Sequence, residues 1–121
     1  VTVQMASTLA FQTVSFTYAS TALPKEAKQA LAVISEQLKA RTGSRVMITG
    51  HTTPTGTRQI PLSQQRAESA ATALVALQID RSRMDVIGVG SSQPVKDLAP
   101  LNGKNRRVEM TVYMPIQQTS H

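Results

Sequence analysis

Across residues 24–41, Ala27, Leu31, Ile34 and Leu38 recur at the i, i+4, i+7, i+11 spacing of one helix face, with Lys25, Lys28, Gln29, Glu36 and Lys39 between them. Such a segment forms an amphipathic helix with one buried stripe and requires an apolar surface to lie on. The rest of the chain supplies that surface in a different period. Val14-Ser15-Phe16-Thr17-Tyr18 alternates and carries β-formers, Arg45-Val46-Met47-Ile48-Thr49-Gly50 is an apolar run of strand length, and Val108-Glu109-Met110-Thr111-Val112-Tyr113-Met114 alternates cleanly. A chain that switches between these periods is confined to helices packed on a sheet.

The punctuation agrees. Pro24 suits a first helical position, where its missing N–H has no partner to lose, and Gly43 closes the helix. Residues 52–61, rich in Thr, Pro and Gly, are expected to be a loop. Ser63 is placed to N-cap a second helix whose buried stripe is Ala67, Ala70, Ala71, Leu74 and Leu77. Asp80-Arg81-Ser82-Arg83 reads as a polar turn, residues 84–89 as a third strand and residues 92–105 as a polar loop. The expected fold is therefore α+β: a two-layer sandwich in the order β-α-β-α-β-β, with a mixed sheet and two main helices on one face. Strands joined through single helices are expected to pair in parallel by right-handed crossovers, and the last strand to enter antiparallel. Residues 1–13 are expected to be a leading strand or linker, 14–116 the folded domain, and 117–121 a flexible tail.

Composition removes several classes of function. With 121 residues, 40% hydrophobic and 17% charged, the chain fits one domain with one core. No apolar run approaches the ~18–20 residues that span a bilayer. Val1-Thr2-Val3-Gln4 lacks the positive start of a secretory signal, so a mature form or an excised domain is expected. The absence of cysteine excludes disulfides, thiolate catalysis and Cys-ligated zinc. The net charge of +6 attracts polyanions in general. The basic residues are scattered, and two Phe, two Tyr and no Trp equip the chain poorly for stacking bases. A nucleic-acid partner is thus not expected.

Catalysis is not expected either. There is no Ser-His-acid spacing, no close carboxylate pair, no Gly-rich phosphate loop and no Cys nucleophile. His51 and the terminal His121 are the two histidines, too few ligands for a metal site. No metal and no cofactor are expected.

Three fragments in order carry a more specific signal: Gly50-His51-Thr52, Leu62-Ser63-Gln64-Gln65-Arg66-Ala67, and Asn105-Arg106-Arg107-Val108-Glu109. Together they resemble the peptidoglycan-binding domain found at the C-terminus of outer-membrane protein A, in peptidoglycan-associated lipoproteins and in flagellar stator proteins. That family reads G-H-T-D, then a loop containing Asn, then L-S-x-x-R-A and N-R-R-V-E. Here the Asp position is Thr53, the loop is shorter, and no Asn precedes Leu62. The resemblance covers most of the chain, from Val14 to Val112.

The resemblance implies a pocket at the start of the second helix for the peptide stem of peptidoglycan, usually its diaminopimelate residue. That ligand carries a carboxylate and an ammonium on one carbon, so it needs a cation fork beside an anion. Arg66 would bind the carboxylate bidentately, aided by the positive end of the helix, with Arg106 as a second cationic contact and Ser63 at the helix start. The alternative for Arg66 is a first-turn surface residue paired with Glu68 or Asp85, and for Arg106 a solvated strand-edge charge. Thr53 cannot hold an ammonium by charge, which forfeits ~1.5–3 kcal/mol, and no acidic residue lies between Glu36 and Glu68 to replace it. His51 is expected to hydrogen-bond the loop backbone, and Glu109 to pair across the sheet.

Two readings follow. The first is a non-enzymatic envelope module that anchors a larger assembly to peptidoglycan, binding the stem peptide weakly or in an altered way. The second keeps the fold and loses the ligand, leaving a structural docking domain of a secretion system, pilus or motor. Both place the chain in the periplasm, tied to the outer or inner membrane through a segment outside it, with other envelope-complex proteins as partners.

Overall fold

A computed structural model describes residues 5–16, 21–53, 59–92 and 105–115. The elements are β1 (Met5–Ser15), α1 (Ala27–Ala40), β2 (Arg45–Gly50), α2 (Gln59–Ala76), a single 3-10 turn (Arg81–Arg83), β3 (Met84–Gly88) and β4 (Arg107–Pro115). The four strands form one mixed sheet in the order β1-β4-β2-β3. The fold is the expected α+β sandwich, with α1 packed on β1 and β4 and α2 on β2 and β3.

The pairing departs from expectation in one respect. β2 and β3, joined through α2, pair in parallel with Gly50 opposite Gly88. β1 and β2, joined through α1, do not pair, because β4 enters antiparallel between them. The reason is burial. Val108, Met110 and Val112 of β4 are wholly buried, and a strand with such a face gains most from a central position with a neighbour on each side. Inward side chains of the sheet meet Leu31, Ile34 and Leu38 of α1 and Ala67, Ala70, Ala71 and Leu74 of α2 in one core.

The helix ends refine the sequence reading. Pro24-Lys25-Glu26 makes a turn ahead of α1, with Ala27 N–H donating to Pro24 O at 3.0 Å. Gly43 follows α1 with φ of +89°, a left-handed conformation that favours glycine. α2 begins at Gln59, so the expected loop over 52–61 is shorter than anticipated; Pro61 sits in the first turn, where no intrahelical N–H is lost. Leu77 is not part of the buried stripe and is 38% exposed. The helix stops at Ala76 and Gln78 takes φ of 72°, which turns the chain so that Ile79 enters the core instead.

The side chain of Arg83 holds the far end of α1. Its Nη2 donates to the carbonyls of Leu38 at 2.7 Å, Arg41 at 3.1 Å and Ser44 at 3.0 Å. These include carbonyls that a helix end leaves without intrahelical donors. The expected turn at 80–83 is capped by Asp80, whose carboxylate accepts from Ser82 N–H at 2.9 Å. Residues 93–104 of the expected polar loop, residues 54–58 and the expected tail over 117–121 lie outside the described residues.

Candidate functional site

The C-terminal ends of the parallel strands β2 and β3 meet the first half of α2. Glycine makes the approach possible. A Cβ on Gly50 would overlap the carbonyl of Ser63, and one on Gly88 would overlap the backbone of Gln64. Hydrogen bonds then pin the helix to the strand ends: Gly90 N–H donates to Ser63 Oγ at 2.9 Å, and Gly88 N–H to Gln64 Oε1 at 2.8 Å. The ladder continues past both glycines, with Val89 N–H on Gly50 O at 3.1 Å and Thr52 N–H on Gly90 O at 2.9 Å.

Ser63 is therefore not the N-cap that its sequence position suggests. It lies inside α2, fully buried, donating to Ile60 O at 2.8 Å while accepting from Gly90. The helix starts earlier because Gln59, Ile60 and Pro61 complete a first turn ahead of it.

Arg66 follows on the same helix and is buried completely. Its Nη1 donates to His51 O at 3.2 Å, and its guanidinium carbon stands 5.4 Å from the centroid of the Phe16 ring, within cation–π range. Arg106 reaches the main chain of the same residue, with Nε donating to Phe16 O at 3.1 Å. Burial, followed by the neighbouring charge of Arg106, pulls the Arg66 pKa down to about 10, so the group stays cationic at neutral pH. Neither acid that sequence offered as a partner is drawn to it. Glu68 takes Arg81 at 2.8 and 2.9 Å, and Asp85 takes Arg45 at 2.9 and 3.1 Å. Arg106 thus stands close enough to Arg66 for its charge to be felt, and Arg66 is buried, unlike the first-turn surface residue given as its alternative.

Thr53 and Thr52 are both buried just past the end of β2, and Thr52 Oγ1 has no hydrogen-bond partner among the described residues. His51 departs from expectation. Its imidazole Nε2 meets Glu109 Oε1 at 3.0 Å, and its Nδ1 is buried without a hydrogen-bond partner among the described residues. Its main chain contributes separately, the N–H donating to Arg107 O at 2.7 Å. Glu109 pairs across the sheet as expected, with Arg107 Nε on its second oxygen at 3.0 Å. Burial lowers the His51 pKa, Arg107 lowers it further, and Glu109 opposes both without reversing the shift. The imidazole is thus neutral at neutral pH.

Phe16 and Arg83 escaped sequence reading. Phe16 belongs to a β-type alternation that marks it as core, and nothing local says that two arginines distant in sequence close on it. Among the described residues no three His, Cys, Asp or Glu side chains converge as a metal site. Nor is any described helix long and apolar enough to cross a membrane.

Comparison with known proteins places these features in a family. The OmpA family matches residues 15–107. The peptidoglycan-binding protein ArfA of Mycobacterium tuberculosis is 41% identical over 83 residues, 65% of this chain and 26% of ArfA. The peptidoglycan-associated lipoprotein of Pseudomonas aeruginosa is 33% identical over 105 residues, 84% of this chain and 62% of that protein. The chain thus spans only part of the length of these relatives. Among solved structures, the cell wall anchor of the type VI secretion system of Pseudomonas aeruginosa superposes with a TM-score of 0.70 at 30% identity, covering 93% of this chain and 87% of the other.

Proposed function

The chain belongs to the OmpA family, and from that membership we propose that it is a non-enzymatic module of the cell envelope that anchors a larger assembly to peptidoglycan. It works in the periplasm, with peptidoglycan on one side and other proteins of the assembly on the other. The observation that carries this reading is the setting of Arg66: a cation on the second turn of α2, fixed by His51 O and the Phe16 ring at the ends of two parallel strands. A stem-peptide carboxylate placed there gains from the guanidinium fork, from the positive end of α2 and from the nearby charge of Arg106.

Thr53 stands where an acid would hold the ammonium of the ligand, so binding is weak or altered. Ser63 contributes indirectly by holding the Gly90 turn. The relatives named for peptidoglycan binding support the ligand class, and the secretion-system anchor supports the tethering role.

One observation favours a second reading. Arg66 is shut from solvent and spent on internal contacts, as expected of a structural pin in a domain that has lost the ligand and docks on protein partners. Co-sedimentation with purified sacculi separates the two. In the anchoring reading, wild type sediments and Arg66→Lys, which keeps the charge but loses the fork, does not. If wild type stays in solution at every concentration while melting as a folded protein, the docking reading holds.

A further inference from the structure

Phe16, the buried residue that follows β1, is held by two arginines that are not equivalent. Its ring faces the Arg66 guanidinium at 5.4 Å. Its main chain is taken by Arg106, whose carbonyl accepts from Phe16 N–H at 2.7 Å and whose Nε donates to Phe16 O at 3.1 Å. Arg66 is closed off from solvent, whereas Arg106 is only half-buried. The Nε of Arg106 is spent inward, and among the described residues its Nη1 and Nη2 have no hydrogen-bond or ion-pair partner. A guanidinium carries five N–H donors and no acceptor, so four donors of Arg106 stand unspent in a fork whose plane the bond to Phe16 fixes. The acids nearby on the sheet and on α2 are engaged elsewhere: Glu109 by Arg107 and His51, Asp85 by Arg45, and Glu68 by Arg81. Burial first, and then the charge of Arg106, lowers the Arg66 pKa. Two cations gathered on one residue repel, and an anion set against the open one relieves both.

We propose that Arg106 is the specificity-determining residue of the anchoring site: its open fork meets the ligand first, and it admits a carboxylate while refusing the carboxamide of the same shape. The inference rests on the anchoring reading. It moves the ligand contact from the buried Arg66, which stands behind as a fixed charge, to the arginine that solvent reaches. The selectivity follows from the donor set. A carboxylate offers two acceptor oxygens to two parallel N–H groups and carries the opposite charge. A carboxamide offers one acceptor and one NH2 group, so a donor is set against a donor and the charge of the contact is lost. A site that hydrogen-bonds its ligand discriminates strongly against an analogue that leaves a polar group unpaired. The ligand class is thereby narrowed to stem peptides with a free carboxylate at this position.

Arginine side-chain NMR of the whole chain, titrated with sodium acetate and separately with acetamide at one ionic strength, tests this. Acetate is expected to shift the Arg106 resonances saturably, and acetamide to leave them in place. Sacculi supply the second measure. Arg106→Lys, which keeps the charge but loses the fork, and Arg106→Gln should melt within a few degrees of wild type and bind about ten- to a hundred-fold more weakly. Wild type should lose affinity to the same extent for sacculi whose carboxylates have been chemically amidated. Acetate shifts confined to Arg66, an equal response to acetamide, or Arg106→Gln sedimenting as wild type does would overturn the proposal. If wild type ignores sacculi yet takes acetate on Arg106 in preference to acetamide, the anchoring reading falls while the carboxylate selectivity of Arg106 is upheld.

Discussion

Gly50 and Gly88 are register partners at the ends of two parallel strands, and α2 lies against both so closely that neither has room for a Cβ. The obstacles are the Ser63 carbonyl and the Gln64 backbone, which cannot swing aside as a side chain would. Gly50→Ala and Gly88→Ala must each push the helix off the sheet, at a cost of about 1–3 kcal/mol or more. Calorimetry is expected to record a melting temperature several degrees lower for each. The same displacement moves Arg66, so sacculus binding should weaken in both variants along with stability.

A second prediction concerns Arg83. Its guanidinium serves carbonyls of Leu38, Arg41 and Ser44 and also meets Ser44 Oγ at 2.9 Å. Arg83→Ala leaves those acceptors without the cation that ties α1 to the start of β3, and hydrogen bonds to charged groups contribute about 1.5–3 kcal/mol. Chemical denaturation should show a lower midpoint with an unchanged slope. Hydrogen exchange should show the last turn of α1 losing protection before the rest of the core.

These two cases mark what the sequence makes legible. The stripes of α1 and most of α2 are readable because a helix writes its buried face at local spacing, and Ala27, Leu31, Ile34 and Leu38 all lie in the core. The insertion of β4 between β1 and β2 is not, since it depends on pairings between residues far apart in sequence, such as Ser15 with Arg107 and Gly50 with Val108. Arg66 is recognisable from the motif around it, yet its burial depends on Phe16, which no local pattern connects to it. His51 is similar: the partner of its imidazole is Glu109, separated from it by 58 positions. Leu77 fails for a local reason, the left-handed turn at Gln78.

The buried imidazole makes stability depend on pH. The His51 pKa is lower in the folded chain than its ordinary value, so as pH falls through about 6.5 the unfolded chain takes up the proton first. Stability is full above that value, falls as pH drops toward the folded pKa, and levels off below it. Glu68 and Asp85 act in a separate, more acidic window. Hydrogen bonding from Arg81 holds Glu68 below its ordinary range; for Asp85, burial pushes upward but is outweighed by bonds from Arg45 and Tyr113. Their contribution is lost only as pH falls below about 4. Melting temperatures of wild type are expected to fall between about pH 7.5 and 5.5, whereas His51→Gln should be nearly flat over that interval.

The last prediction tests what Thr53 costs the proposed site. Thr53 is buried two positions after His51, whose carbonyl holds Arg66. An aspartate there would be desolvated, and a buried carboxylate is tolerated only when a cation and hydrogen bonds compensate it. If the two side chains form one recognition site, Arg66 is the natural compensating cation. Thr53→Asp should then cost little stability in the wild-type background and several-fold more in Arg66→Met, where the new charge has no partner. The double-mutant cycle reads that coupling directly. Binding should move the other way: an ammonium gains a charge-assisted contact of ~1.5–3 kcal/mol, which raises sacculus affinity by about one to two decades. A stability coupling without a gain in affinity would show that residues 53 and 66 are neighbours in a pocket that no longer admits the stem peptide, and would move the chain to the docking reading.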